Sequence, residues 1–322
     1  MAKFQKVPII KRIKLDQYEN NSLSHRWIHL VSNGIAQPIY IPAIIGKGVK
    51  DGPVLGITAV VHGNELNGMS VIQRLFNSID LEKLSGTIIG VPVVNVPSIL
   101  TNERRFVDGV DLNRIMPGDK DGNRSKVYAN RIINRIVKNF DYLLDLHTAS
   151  FGRVNSYYIR ADLSSKIAKQ LAIMQNPQII LNAPPKDGTL RGAAADLGID
   201  AITVEVGDPD KFQKGMIRSS LTGVYNTLSF LNMYDEPIDK ADQKAVICKK
   251  SYWIYSQVGG IIQVHCDLTQ HLKKGDLIAT IRDVFGTILK EYFAPESGIV
   301  IGKSTNPIGQ TGSRIIHLGI VK

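Results

Sequence analysis

Four apolar runs alternate with amphipathic segments through the first two thirds of the chain. They occupy residues 54–61, 86–95, 141–148 and 201–207. Nearly continuous apolar runs of this length are typical of strands that are covered on both faces. Because segments with helical spacing separate them, the pattern predicts a largely parallel or mixed α/β sheet with helices on both faces.

The segments between and around these runs predict the remaining elements. Helices are expected at 66–78, 125–139, 164–174, 191–198 and 219–231. Residues 1–50 alternate polar and apolar positions, which indicates strands at a sheet edge. From residue 252 onward, short apolar stretches are punctuated by glycines and no helical period persists, as in a small all-β domain. We therefore predict a catalytic domain at 1–238 and a small β domain at 239–322, joined by a linker near 235–237.

Composition narrows the class of protein. The chain has 322 residues, of which 43% are hydrophobic and 21% charged, as in ordinary globular proteins. No apolar run approaches the roughly 18 residues needed to cross a bilayer, and residues 1–6 lack the apolar core of a secretion signal. The two cysteines, Cys248 and Cys266, are isolated from each other, which argues against a disulfide framework. These features predict a cytoplasmic protein without a membrane partner, and a homo-oligomer is compatible with them.

A formal net charge of +10 raises the question of an acidic partner. The basic residues are dispersed and no recognised nucleic-acid-binding module carries them, so we expect no nucleic-acid partner. A basic excess can instead steer a small anionic substrate to the protein.

Histidine and glutamate side chains stand where the apolar runs end. His62 and Glu65 follow the first run, His147 ends the third, and Glu205 lies on the fourth. In open α/β sheets, ligands gather beyond the carboxyl ends of the strands, so these four side chains are expected at one edge. Two imidazoles and one carboxylate are the ligand set of an open catalytic zinc site. Glu205 is then the second carboxylate, which takes a proton from the attacking water and returns it to a leaving amine.

A long polar loop at 102–123 supplies further candidates. Arg104 or Arg105 can stabilise an oxyanion, and Asn113 with Arg114 can hold a substrate carboxylate. Asp111 can accept the free N–H of a zinc-binding histidine. Each has a simpler alternative, because loop arginines are usually solvated and Asp111 can merely cap a turn.

Four motifs, in order, resemble the succinylglutamate desuccinylase/aspartoacylase family, a branch of the zinc carboxypeptidase-like superfamily. They are His62-Gly63-Asn64-Glu65, the stretch 105–114 (RFVDGVDLNR), Asp145-Leu146-His147-Thr148 and Glu205-Val206-Gly207. The resemblance covers about residues 50–230 and implies a zinc carboxypeptidase-like fold. It implies a site with these roles: zinc ligands His62, Glu65 and His147; general base and acid Glu205; polariser of the scissile carbonyl Arg105; substrate-carboxylate binders Asn113, Arg114 and, by a weaker correspondence, Arg191; and Asp111 orienting His62.

The expected function is hydrolysis of the amide bond of a small N-acyl amino acid, with one zinc ion per chain. Two alternatives stay open: a zinc carboxypeptidase acting on short peptides, and a non-catalytic zinc-binding sensor or scaffold. The tail resembles a biotinyl/lipoyl-type sandwich that lacks the carrier lysine at its hairpin tip. His265, Cys266 and His271 match no closed zinc pattern, so we expect them to be ordinary strand and turn positions.

Overall fold

The computed structural model describes residues 7–185 and 188–321. The amino-terminal residues 1–6, for which the sequence predicted the start of the edge strands and no secretion signal, lie outside this range. All statements below concern the described residues.

A ten-stranded mixed sheet forms the body of the molecule. Its strands, in chain order, are β1 (Ile9–Ile10), β2 (Ser22–Ser32), β3 (Pro38–Lys47), β4 (Lys50–Ala59), β5 (Ser85–Val91), β6 (Tyr142–His147), β8 (Tyr158–Ala161), β9 (Ile179–Asn182), β10 (Asp200–Glu205) and β11 (Val246–Cys248). Their order across the sheet is β1-β2-β3-β5-β4-β6-β10-β8-β9-β11.

The centre of this sheet is parallel, as the apolar runs predicted. β4 pairs in parallel with β5 and with β6, and β6 pairs in parallel with β10. The flanks are mixed, since β2 and β3 pair antiparallel, as do β8 and β10. The predicted edge strands near the amino terminus are β1, β2 and β3, of which β1 forms the edge itself.

Six α-helices connect and cover the strands. They are α1 (Asn67–Ser78), α2 (Val96–Leu100), α3 (Arg124–Arg135), α4 (Lys166–Met174), α5 (Leu190–Asp196) and α6 (Lys214–Phe230). The helix predicted at 125–139 ends at Arg135 and is followed by a separate 3-10 turn, Val137–Asn139. α6 begins five residues before the predicted start, and Met216 and Ile217 of its first turn pack against the core under α1 and α4. None of the helices in the described ranges is both long and apolar enough to span a bilayer.

Two hydrophobic cores lie on opposite faces of the large sheet. Alternate residues of one strand enter different cores, so Leu143 packs in the core under α3 and α5 while Leu144 packs in the core under α1, α4 and α6. Ala201 and Ile202 of β10 divide in the same way. This double coverage explains why the central strands are apolar on both faces along most of their length. The predicted fold class is therefore confirmed.

Two smaller antiparallel sheets make up the carboxyl-terminal part. Their strands are β12 (Lys250–Tyr255), β13 (Gly260–Val264), β14 (His271–Leu272), β15 (Leu277–Arg282), β16 (Ile288–Phe293), β17 (Gly298–Ser304), β18 (Ile308–Gly309) and β19 (Arg314–Ile320). One sheet has the order β12-β19-β17-β14 and the other β16-β15-β13-β18.

Each part of the chain contributes one strand to a sheet of the other part. β11 lies beyond the predicted boundary at residue 238, yet it pairs with β9 of the large sheet. In the other direction, β7 (Arg153–Asn155) leaves the first part of the chain and pairs with β17. A small apolar cluster that includes Tyr158, Cys248 and Ile301 fills the space between them. The carboxyl-terminal sheets are thus attached by backbone hydrogen bonds and by a shared core.

The loop at 102–123 is ordered, as its embedded apolar residues suggested. Phe106, Leu112 and Met116 are buried in the core that lies under α3, and the Phe106 ring packs against Tyr128 at 4.8 Å between ring centroids. A 3-10 turn, Leu112–Arg114, follows Asp111, whose side chain accepts a hydrogen bond from the Asn113 N–H. The loop is therefore held firmly enough to present polar side chains at the sheet edge.

Replacing Gly56 with alanine should destabilise the fold without touching the candidate site. A Cβ at this position of β4 would lie 2.2 Å from Cδ2 of Phe140, whose ring is itself buried. Overpacking of this kind costs roughly 1–3 kcal/mol. Urea unfolding should show a lower free energy of unfolding for Gly56→Ala. The control is Gly34→Ala, whose Cβ meets no atom within 4 Å; equal stability of the two variants would contradict the packing argument.

Candidate active site

The site begins at a sharp turn beyond the end of β4. Val60 adopts a left-handed conformation with φ 55°, which is unusual for a β-branched residue. The turn is held because the carbonyl oxygens of Val60 and Val61 accept hydrogen bonds from the backbone N–H and the side-chain amide of Asn95. Such strained conformations persist where the surroundings fix them, and they cluster at functional sites. The turn directs the chain from β4 into the loop that carries His62 and Glu65.

His62, Glu65 and His147 form one buried cluster. Their candidate ligand atoms all lie within 4.8 Å of one another. Glu65 Oε1 is 2.8 Å from His62 Nδ1, and Glu65 Oε2 is 2.9 Å from His147 Nδ1. Glu65 Oε2 also accepts a hydrogen bond from the Thr148 N–H. The structure thus brings together the three residues that the sequence singled out as ligands.

Each imidazole has Glu65 at its Nδ1 atom and another carboxylate at its Nε2 atom. His62 Nε2 is 3.0 Å from Asp111 Oδ1, and His147 Nε2 is 2.8 Å from Asp145 Oδ2. Asp145 is fully buried, and its other oxygen accepts a hydrogen bond of 2.6 Å from the Thr58 hydroxyl. A carboxylate at Nε2 favours the tautomer that carries its proton there. Both Nδ1 atoms are then left as lone pairs that point at Glu65.

This arrangement fits a bound cation. Two imidazole lone pairs and a carboxylate converge in a buried space, where they repel one another unless a positive charge lies among them. His62 Nδ1 is buried and has no hydrogen bond with any described residue, although Glu65 is close. Two histidines and one carboxylate, each histidine backed by an acid, are the donors of an open zinc site. The donor set therefore matches the predicted metal in number, type and orientation.

The pKa values of Glu65 and His147 are shifted by the charged groups around them. Burial by itself would raise the pKa of Glu65, but the adjacent His62 and His147 outweigh it and hold that pKa well below its usual range. Burial would likewise lower the pKa of His147, but Asp145 and Glu65 outweigh it and raise that pKa well above its usual range. These neighbours thus favour the ionised form of Glu65 at a place that water hardly reaches.

Glu205 stands beside this cluster on the next strand. It is the register partner of His147 in the parallel pairing of β10 with β6. Its Oε2 accepts a hydrogen bond from the Asn155 amide at 3.2 Å, and its Oε1 accepts one from the Tyr158 hydroxyl at 3.3 Å. Burial raises the pKa of Glu205, and Arg160, whose Nε lies 3.8 Å from its Oε1, opposes that effect in part. A buried carboxyl with a raised pKa is suited to accept and return a proton.

The arginine beside the cluster is Arg104, and not Arg105 as predicted. Arg104 donates to Glu65 Oε1 at 2.8 Å and to Asp111 Oδ2 at 3.1 Å, and it also donates to the Ser150 hydroxyl. Arg105 is exposed and donates to the Gly109 carbonyl oxygen at 3.3 Å. The reason is local, since both arginines lie in a bend of the loop and the next residue, Phe106, is fixed in the core.

The predicted carboxylate-binding residues line the same cavity, which has a volume of about 360 Å³. Asn113 Oδ1 accepts a hydrogen bond of 2.7 Å from the Leu190 N–H at the start of α5. Arg114 is exposed to the cavity. Arg191 is buried and donates to the carbonyl oxygens of Ala183 and Pro184. Asn113 is thus fixed by a helix end, whereas part of the Arg191 guanidinium is engaged by the backbone.

The carboxyl-terminal sheet forms one wall of this cavity, which sequence analysis did not foresee. Trp253 of β12 and Arg314 and His317 of β19 line it. Asp145 was also missed as the partner of His147, although a signal existed: residues two apart on a strand share a face. Nothing local in the sequence marks the wall, because it depends on pairing between distant strands.

The group His265, Cys266 and His271 does not form a site. His265 Nε2 lies 2.8 Å from the Thr280 hydroxyl, and Cys266 is buried beside the Ile278 carbonyl oxygen. Among the described residues, the one group of ligand-type side chains close enough to hold a metal is that of His62, Glu65 and His147.

Known proteins resemble this chain in sequence. Residues 51–231 match the model of the succinylglutamate desuccinylase/aspartoacylase catalytic domain. One relative is the N-alpha-acetyl-L-2,4-diaminobutyric acid deacetylase of Halomonas elongata, which is 22% identical over 302 residues, covering 89% of this chain and 88% of the relative.

Solved structures share the fold over nearly the whole chain. The product-bound ectoine utilization protein EutE (DoeB) of Ruegeria pomeroyi superposes with a TM-score of 0.87 at 20% identity, covering 98% of this chain and 100% of that chain. The succinylglutamate desuccinylase/aspartoacylase of Rhodobacter sphaeroides gives a TM-score of 0.86 at 19% identity, covering 97% and 99%. The family match spans more than half of the chain and contains the four sequence motifs and the cluster of His62, Glu65 and His147. The chain belongs to the succinylglutamate desuccinylase/aspartoacylase family.

Proposed function

We propose that this protein is a zinc-dependent hydrolase that cleaves the amide bond of a small N-acyl amino acid. The observation that carries the proposal is the buried cluster of His62, Glu65 and His147 with Glu205 beside it on the adjacent strand. Such a pairing of an open ligand set with a separate carboxylate serves hydrolysis, and a purely structural metal has no use for it.

His62, Glu65 and His147 would hold the metal, and Asp111 and Asp145 would fix the two imidazoles. Zinc held there would act as a Lewis acid on an acyl oxygen and would lower the pKa of water. The remaining steps belong to side chains of the protein.

Glu205 is the proton carrier in the proposed reaction. As water adds to the acyl carbon, Glu205 takes one of its protons; when the carbon–nitrogen bond breaks, Glu205 returns that proton to the amine. The products are a carboxylate and an amine, with one water consumed. Asn155 and Tyr158 donate to the Glu205 oxygens and keep them oriented while the proton moves.

Arg104 takes the role of carbonyl polariser that the sequence gave to Arg105. Its guanidinium lies at the cavity wall beside the ligand cluster, where it can donate to an oxyanion. Asn113 and Arg114 on the same cavity would bind the carboxylate of the amino acid. A cavity of about 360 Å³ favours a small acylated amino acid over a longer peptide.

Replacing Glu205 with glutamine should abolish turnover while the metal remains bound. The amide keeps the size and hydrogen-bonding of the side chain but cannot carry the proton. General acid–base catalysis typically contributes 10²–10⁴-fold, so kcat on an N-acetyl amino acid should fall by about that factor. Zinc content measured on the same sample is the control, and undiminished hydrolysis would remove Glu205 from the mechanism.

Metal-free protein should take up one zinc ion per chain, and the acids behind the histidines should tune that affinity. Asp145→Asn should weaken zinc binding by about 10–100-fold, because an amide oxygen accepts the His147 Nε2 proton less strongly than a carboxylate and so lowers the basicity of Nδ1. Competition with a chromophoric chelator measures this affinity. His265→Ala, outside the cluster, is the control; an affinity unchanged by Asp145→Asn would contradict the assigned role.

The two neighbouring arginines provide a matched test of the oxyanion assignment. Arg104→Gln should lower kcat by about 10²–10³-fold, as the loss of an oxyanion donor does in other hydrolases. Arg105→Gln removes the same charge one residue away and should stay within about twofold of the parent. Zinc content must be measured for both, because Arg104 also contacts Glu65. A larger loss for Arg105→Gln would restore the prediction made from the sequence.

A further inference from the structure

Two helices begin beside each other at the edge of the sheet that carries the site. α1 begins at Asn67, two residues after the candidate ligand Glu65, and Gln213 immediately precedes α6. The Asn67 side chain donates from Nδ2 to Gln213 Oε1 at 3.1 Å, and its Oδ1 accepts the Gln213 backbone N–H at 2.9 Å. These two hydrogen bonds join the segment that carries the ligands to the segment that follows Glu205.

Asp208 extends this connection toward Glu205. Gln213 Oε1 also accepts the Asp208 backbone N–H at 2.7 Å, and Gln213 Nε2 donates to Asp208 Oδ2 at 3.1 Å. Asp208 Oδ1 accepts the backbone N–H of Asn155 at 3.4 Å, and the Asn155 side chain donates to Glu205 Oε2 at 3.2 Å. We call Asn67, Asp208 and Gln213 the bridging triad. Through it, an unbroken series of hydrogen bonds runs from the start of α1 to the proposed proton carrier.

The turn that follows Glu205 is held by the same side chains. Asn67 Nδ2 donates to the carbonyl oxygen of Val206, the residue directly after Glu205, at 2.7 Å. Gly207 has a φ of 81°, and a Cβ at this position would lie 2.3 Å from Gln213 Oε1, so the turn packs closely on the bridging triad. A side chain two residues from a candidate metal ligand therefore fixes the backbone next to the proton carrier.

The orientation of each amide in the bridging triad is set by backbone groups. The Asn67 side chain has a backbone acceptor at Nδ2 and a backbone donor at Oδ1, and Gln213 Oε1 has a backbone donor. Rotation of either amide by 180° would place donor against donor. Asn67 and Asp208 are buried, and Lys211 Nζ lies 2.9 Å from Asp208 Oδ2 and offsets its charge. A buried polar network whose members are satisfied in this way specifies one arrangement.

The candidate metal ligands have supports of their own. His62 and His147 each have an aspartate at Nε2, and Glu65 Oε2 accepts the Thr148 N–H. These contacts come from other side chains than those of the bridging triad. A change in the triad should therefore move the proton carrier relative to the cluster while the cluster keeps its own contacts.

We propose that the bridging triad positions Glu205 relative to the cluster of metal ligands and thereby sets the rate of proton transfer. The proposal rests on the proposed amide hydrolysis. Its members are positioning residues, which act on Glu205 through Asn155 and through the backbone of Val206. A proton carrier must lie within hydrogen-bond reach of the atom that it serves, and a misplacement of about 1 Å can lower the rate by about 10²-fold.

Single changes of the donor or of the acceptor should slow the reaction. Gln213→Glu puts an anionic oxygen where Nε2 now donates to Asp208, so two carboxylates repel each other. Asp208→Asn puts an amide NH₂ group against either the Gln213 amide or the Asn155 N–H. Each variant should lower kcat on an N-acetyl amino acid at pH 8 by about 10–100-fold, with KM and zinc affinity within about threefold of the parent.

The double variant Asp208→Asn/Gln213→Glu should recover the activity that each single change removes. Its asparagine donates to its glutamate, so the hydrogen bond between the two side chains forms again in the opposite direction. The backbone donors keep their acceptors, and kcat should return to within about threefold of the parent. Such a recovery is expected of two side chains that act through their mutual contact. Gln263→Glu, the same change at an exposed position of β13, is the control and should alter nothing.

Thermal melts establish that each variant is folded at the assay temperature. If Gln213→Glu does not fold, Gln213→Ala removes the side chain without adding a charge and should lower kcat in the same range. Single variants with the parent kcat, or a double variant as slow as the single variants, would overturn the proposal. It would also be overturned by a fall in zinc affinity as large as the fall in kcat, since the change would then act on the ligand cluster.

Hydrogen exchange separates this proposal from the proposed function. Gln213 is connected to the Asn155 N–H through Asp208. In the zinc-loaded protein, Gln213→Glu should therefore speed exchange of the Asn155 N–H by about threefold or more, and the double variant should restore the parent rate; mass spectrometry of the segment that contains β7 measures both. If no N-acyl amino acid is hydrolysed but this pattern is observed, the hydrolase proposal fails and the coupling stands. If hydrolysis is observed while Gln213→Glu changes neither this exchange nor kcat, the bridging triad has no positioning role.

Discussion

Glu65 is only 1% exposed. A carboxylate buried to this extent remains ionised only if positive charge or hydrogen-bond donors surround it. Its two oxygens contact His62, His147, Arg104 and the Thr148 N–H, which come from three separate segments of the chain. The partners of these partners, Asp111 and Asp145, are acids in turn. The region is therefore an alternating network of negative and positive groups around a place for one cation. Removal of a member leaves its buried partner with less compensation for its charge, so the members of this network stabilise one another.

The topology of the sheet brings the members of this network together in a small space. Because β4, β6 and β10 run in parallel side by side, three chain segments end at one edge without any long detour. Each strand contributes different residues of the site. The strand β4 leads to His62 and Glu65, β6 carries Asp145 and His147, and β10 carries Glu205. The apolar faces below them are packed on both sides by helices, which holds these strand ends rigid. The two hydrophobic cores on opposite faces of the sheet thus fix the positions of the site residues at its edge.

The parts that could be predicted from sequence are those governed by local periodicity and by strand ends. The central strands, the start of α1 and the position of His62, Glu65 and His147 follow from apolar runs and from the rule that sites lie beyond the carboxyl ends of parallel strands. The placement of Arg104, and not Arg105, beside the cluster could not be predicted, because it depends on which residue of an irregular loop is fixed in the core, and here that is Phe106. The wall that contains Trp253 and Arg314 was equally inaccessible, since it arises when the three-residue strand β7 pairs with β17, a contact between segments far apart in sequence.

That pairing has a consequence for the order of assembly. The large sheet and its ligand cluster are built from residues up to Cys248, whereas the opposite wall of the cavity needs β12, β17 and β19, which come later in the chain. Contacts between distant segments form slowly, because their loop-closure entropy must be overcome first. During synthesis the residues of the cluster are therefore added to the chain before those of the wall. The wall can close the cavity only after every residue of the cluster is present.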